Sequence, residues 1–143
     1  MKNKHLIITG LIAAAAHTAA LANEPAIQTI KKSELPFVET PEGVAFALLM
    51  GERFEGEYLA MVKLPAGLVS PPHKKSATMF GVMLAGEMTH GPLEANPASL
   101  SVLGPGSYYR IPAGLAHASR CVSEVDCITV LYQDGAFDFL PAE

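Results

Sequence analysis

Two histidines, a lysine and a methionine carry most of the chemistry this sequence offers. In GLVSPPHKKSATMFGVMLAG (residues 67–86), His73 follows a stiff Pro-Pro approach, with Lys75 and then Met79 beyond it. In GSYYRIPAGLAH (residues 106–117), His117 follows a Pro-x-Gly turn. Two imidazoles begin a metal site. Iron or manganese asks in addition for a carboxylate and open positions, and Met79 stands where that carboxylate would help. Lys75 opposes a hard dication if it points inward. Two unit charges 4 Å apart cost about 4 kcal/mol at an effective dielectric of 20, so a +2 ion beside an ammonium costs roughly 8. If Lys75 instead snorkels outward, His73 and His117 are free to hold iron, manganese or zinc with another acid.

Two other readings use the same residues. His73, His117 and Met79 form a two-imidazole, one-thioether set suited to Cu(I), although Met61, Met79, Met83 and Met88 lie in apolar segments where methionine commonly fills a core. Without a metal, Lys75 supplies the positive charge, and the pocket takes a small-molecule ligand that is an anion such as a carboxylate. Tyr108 and Tyr109 are placed as pocket residues, with one facing in and the other out because neighbours on a strand alternate. Arg110 reads as a surface residue, and His90, beside a turn in EMTHG, as a solvent-facing one. The sequence has no G-x-S-x-G elbow, phosphate loop or Ser/His/Asp set, and Glu52, Glu55, Glu57 and Glu87 fall in turn-like segments that do not pair carboxylates.

The elements that must position these residues are strands. Between Gly/Pro turns lie GVAFALLMG (43–51), YLAMVKL (58–64), MFGVMLAG (79–86), EMTHG (87–91), LSVLGPG (100–106), SYYRI (107–111), LAHASRC (115–121) and CITVLYQ (127–133). LVSPPH (68–73) is extended because residues before proline avoid the helical region. Short strands at this spacing predict an all-β sandwich or barrel. The closing DGAFDFLPAE reads as a tail.

The chain begins MKNKH, continues through the apolar LIITGLIAAAAHTAALA, and offers Ala20-Leu21-Ala22 as a small-x-small cleavage pattern. Residues 1–22 therefore read as a signal peptide cut between Ala22 and Asn23, and residues 23–40 as an arm or edge strand. The apolar run is shorter than the ~20 residues of a span, and no later run is long enough, so no membrane span is expected in the mature chain. Cleavage takes two lysines and no acid, leaving eight basic against fourteen acidic residues, a formal charge of −6. That excludes the basic footprint nucleic acid demands. An exported chain with two cysteines, Cys121 and Cys127 in CVSEVDC, predicts a disulfide across a hairpin loop. The rival role of Cys121 as a metal ligand meets a distance, because four strand steps carry it roughly 13 Å from His117.

Taken together, the two histidine stretches resemble the two motifs of the cupin superfamily. Gly67, five residues, His73 and a closing Gly86 match the outer frame of the first motif. Gly106, five residues and Pro112-Ala113-Gly114-Leu115-Ala116-His117 match the second as far as its histidine. The departures are Lys75 for the second histidine, Met79 for the glutamate and Cys121 for the terminal asparagine. The resemblance covers roughly residues 41–140, so residues 41–143 are assigned to one cupin domain. It implies a double-stranded β-helix, or jelly-roll, barrel in which His73 and His117 face one interior, and it allows a homodimer. Two functions stay open: an exported periplasmic or secreted module that binds a small molecule, a metal or both, and a metal-dependent oxygenase or isomerase using His73 and His117 with a non-standard third ligand. A purely structural barrel is the third.

Overall fold

YLAMVKL and CITVLYQ are short, largely apolar runs, and they become neighbouring central strands. In the computed structural model, which describes residues 27–142, β3 (Tyr58–Leu64) and β9 (Cys127–Gln133) pair antiparallel from Tyr58↔Gln133 to Leu64↔Cys127. Alternate residues are buried along both: Tyr58, Ala60, Val62 and Leu64 on one, Cys127, Thr129, Leu131 and Gln133 on the other. One face of each strand therefore belongs to the core, as the two-residue side-chain repeat of a strand requires.

The remaining strands complete two antiparallel sheets. The larger has the order β1 (Val38–Glu39), β2 (Ala45–Gly51), β3, β9, β5 (Met79–Ala85), β7 (Tyr108–Ile111). The smaller has the order β10 (Leu140–Pro141), β4 (His73–Lys74), β8 (His117–Cys121), β6 (Met88–Pro92). Only short 3-10 turns, Lys32–Glu34 and Pro97–Ser99, interrupt the β structure among the described residues. The sheets face each other over Tyr58, Val62, Leu64, Met79, Met83, Met88, Tyr109, Ile111 and Leu131. This is the expected jelly-roll barrel. Met83 and Met88 are fully buried, and burying a side chain of that size contributes about 1.5–3 kcal/mol. No helix among the described residues is long and apolar enough to cross a membrane. The signal peptide and its Ala22/Asn23 cleavage site lie outside the described residues.

Three expectations about elements are corrected. LSVLGPG does not form a strand. Leu103 makes a single bridge to Met88, and Gly104-Pro105-Gly106 then turns the chain away. CVSEVDC is not a hairpin within one sheet, because Cys121 ends a strand of the smaller sheet and Cys127 begins one of the larger. The expected disulfide does form, with Cα atoms 5.7 Å apart, and it staples the two layers at one end. Finally, the segment read as a tail contains β10, which pairs with β4 at Leu140↔Lys74 and Pro141↔His73. It thus lies beside the strand that carries His73.

Candidate functional site

His73 and His117 are direct partners on β4 and β8, with ring centroids 4.3 Å apart. Each ring is fixed by the backbone two residues before it. His73 Nδ1 lies 2.8 Å from the Pro71 carbonyl, and His117 Nδ1 lies 2.9 Å from the Leu115 carbonyl. A carbonyl oxygen only accepts, so both rings carry their proton on Nδ1 when neutral and leave Nε2 as an acceptor. The Pro-Pro and Pro-x-Gly turns supply these carbonyls. Gly114, which closes the second turn, has φ +77°, a conformation glycine adopts without strain. Burial is the main force holding His73 down at about 4. The Pro71 carbonyl opposes it, and His117 and Lys75 add to it. His117 is likewise lowered, first by burial.

Lys75 points inward. It is only 4% exposed and borders a cavity of about 80 Å³ together with His73, His90, Tyr109, Met79 and Phe137. Its ammonium donates to the Asp138 carbonyl and lies 3.7 Å from the Phe137 ring centroid and 5.2 Å from that of Phe139. Phe139 also stacks on His73, 4.3 Å away at 15°. Glu42 borders the cavity, yet among the described residues no carboxylate forms an ion pair with Lys75. Desolvation, partly offset by Asp138, pushes the lysine down to about 8.

Of the two tyrosines named for the pocket, strand alternation admits one, and one histidine departs from its expected place. Tyr108 is exposed on the outer face of the barrel, whereas Tyr109 is buried and borders the cavity, so only Tyr109 is a pocket residue. The cause is strand alternation, β7 showing an exposed-buried repeat. His90 is no solvent-facing residue. It lies on β6 opposite Ser119 of β8, with Nδ1 2.8 Å from the Ser119 hydroxyl and its ring 4.2 Å from Tyr109. Burial, reinforced by His117 and His73, holds it down to about 3. Met79 reaches the cavity wall as expected, but His117, fully buried, does not border the cavity itself and sits against His73. Phe137, Asp138 and Phe139, which sequence reasoning passed over as tail, form one wall. The alternation in AFDFL was the signal that could have found them.

A hard metal does not fit this donor set. Among the described residues no group of three or more His, Cys, Asp or Glu side chains is placed to hold one ion, and the Lys75 side chain borders the same cavity as His73. Cys121 is committed to the disulfide.

A family model, the ChrR cupin-like domain, matches residues 26–137. The chain belongs to this family. Solved cupins share its fold. The polyketide cyclase RemF from Streptomyces resistomycificus is 15% identical, with a TM-score of 0.66 over 82% of this chain and 87% of that one. An oxalate oxidase is 21% identical, with a TM-score of 0.62 over 87% of this chain and 67% of that enzyme. An acetylacetone dioxygenase from Acinetobacter johnsonii is 20% identical, with a TM-score of 0.57 over 78% and 76%. No curated protein matches the chain. At these identities the likeness is one of barrel architecture, and the chemistry of this cupin has to be read from its own cavity.

Proposed function

We propose that this cupin is an exported binding protein for a small carboxylate, held by Lys75 inside the barrel. One observation carries the reading: a buried ammonium borders the cavity, and among the described residues no carboxylate forms an ion pair with it. A charge removed from water is costly unless it is paired. An anion at about 4 Å would recover roughly 4 kcal/mol of attraction at an effective dielectric of 20. The Asp138 carbonyl and the Phe137 face orient the ammonium without neutralising it, which leaves it free to pair with a ligand. The leader pattern of residues 1–22 and the Cys121–Cys127 bridge support export, since disulfides persist in oxidising compartments.

The test is calorimetric titration of the purified, disulfide-intact protein with acetate and propionate in the presence of EDTA. Saturable binding that disappears in Lys75→Met, a variant that keeps the apolar stem, is the expected result. The free Nε2 lone pairs favour one competing reading, a metal-dependent enzyme. Stoichiometric iron, manganese, zinc or copper in the natively exported protein, lost in His73→Ala, would replace the carboxylate reading with that one. Export is tested separately by sequencing the mature N-terminus, expected at Asn23.

A further inference from the structure

Building on the carboxylate reading, we infer that the cavity selects small 2-hydroxycarboxylates, with Lys75 taking the carboxylate and the Nε2 atom of His73 taking the hydroxyl proton. The argument is a matching of donors to acceptors. Because His73 Nδ1 donates to the Pro71 carbonyl, its other ring nitrogen, Nε2, can only accept. Lys75 can only donate. A plain carboxylate brings acceptors alone: it satisfies the ammonium and leaves the imidazole without a partner. A ligand with a hydroxyl next to its carboxylate brings one group of each kind.

The spacing suits adjacent groups. His73 and Lys75 are two residues apart on an extended segment, so their Cα atoms are roughly 6.6 Å apart and their side chains leave the same face. Both border the cavity, and each is 5% exposed or less. Two further buried imidazole atoms, Nε2 of His90 and Nε2 of His117, have no partner within the protein. The His117 atom is also an acceptor, because its Nδ1 donates to the Leu115 carbonyl. At the cavity wall itself, His73 Nε2 lacks a donor and Lys75 lacks an anion. Size narrows the class. The cavity is small, about 80 Å³, which favours compact acids such as glycolate and lactate.

Two matched pairs of probes decide it, lactate against propionate and glycolate against acetate, titrated in EDTA. The hydroxylated member of each pair should bind about tenfold tighter, the worth of one net hydrogen bond. His73→Phe, which keeps a ring to stack on Phe139, should reduce that preference to about twofold or less while propionate still binds. Lys75→Met should lose all four ligands. A second variant, His73→Leu, serves if His73→Phe does not fold. Equal binding of lactate and propionate by the wild-type protein overturns the hydroxyl assignment and leaves the carboxylate reading standing. Failure of all four ligands to bind overturns both. A preference that appears only when manganese or zinc replaces EDTA overturns the assignment in favour of chelation.

Discussion

Lys75 is surrounded by groups that pull its proton affinity in opposite directions. Burial and Arg53 lower it, Asp138 and Glu42 raise it, and burial is the largest influence. Ligand binding needs the ammonium, so affinity for a carboxylate should be level up to about pH 7. Above about pH 8 it should fall tenfold per unit, as titration calorimetry across pH 6.5–9.5 will register. The histidines predict a different window. His73 titrates at about 4 in the fold against 6.5 unfolded, and His90 at about 3. Between pH 6.5 and 4 the unfolded chain therefore binds more protons, and stability should decline as pH falls through that range. Urea midpoints at pH 6.5, 5 and 4 measure the decline, and His73→Phe should make it shallower. His73, Lys75 and His117 were legible because proline, glycine and spacing announce them. His90 was not. Its sequence neighbours suggest a turn, and its inward face is set only by the pairing with Ser119 on β8.

At the level of elements, the cavity depends on one close approach. A Cβ on Gly81 of β5 would collide with the phenol end of Tyr109 on the adjacent β7. Tyr109 is in turn held by Thr129, 3.2 Å from its hydroxyl. Gly81→Ala should therefore push the ring toward the cavity, costing about 1–3 kcal/mol by overpacking. It should weaken ligand binding as well as lower the urea midpoint. A drop in stability with unchanged binding would show that the ring moves elsewhere. Short apolar runs bracketed by glycine and proline turns made β3, β5 and β9 readable from the sequence. LSVLGPG was misread because its contact with β6 is limited to Leu100 beside Gly91 and a single Leu103–Met88 bridge, while Val102 is exposed. β10 was missed because two residues are too few to show any period, and their pairing is decided by β4, far upstream.

For the whole molecule, the sheet-to-sheet bridge is the one covalent contribution to stability. Its loop is short, with a sequence separation of 6, so the chain-entropy contribution is about 2 kcal/mol. Reduction, or Cys121→Ser with Cys127→Ser, should lower the unfolding free energy by that amount without abolishing the fold, since the core is built from strands on both sides of it. The denatured, unreduced protein should show no free thiol on titration. The jelly roll itself was legible, because turn spacing and two glycine-framed motifs both point to it. The joining of two layers by the cysteines was not, since residue spacing alone cannot separate a hairpin from a corner between sheets. The C-terminal wall carries a last consequence, one of timing. Phe137, Asp138 and Phe139 hold Lys75 and His73, and Leu140 and Pro141 pair with the strand that bears the histidine. A chain made from its N-terminus has His73 and Lys75 more than sixty residues before it has the wall that orients them. On the proposed reading, a nascent barrel cannot capture its ligand, and whatever a ligand adds to stability reaches only a chain that has emerged through Pro141.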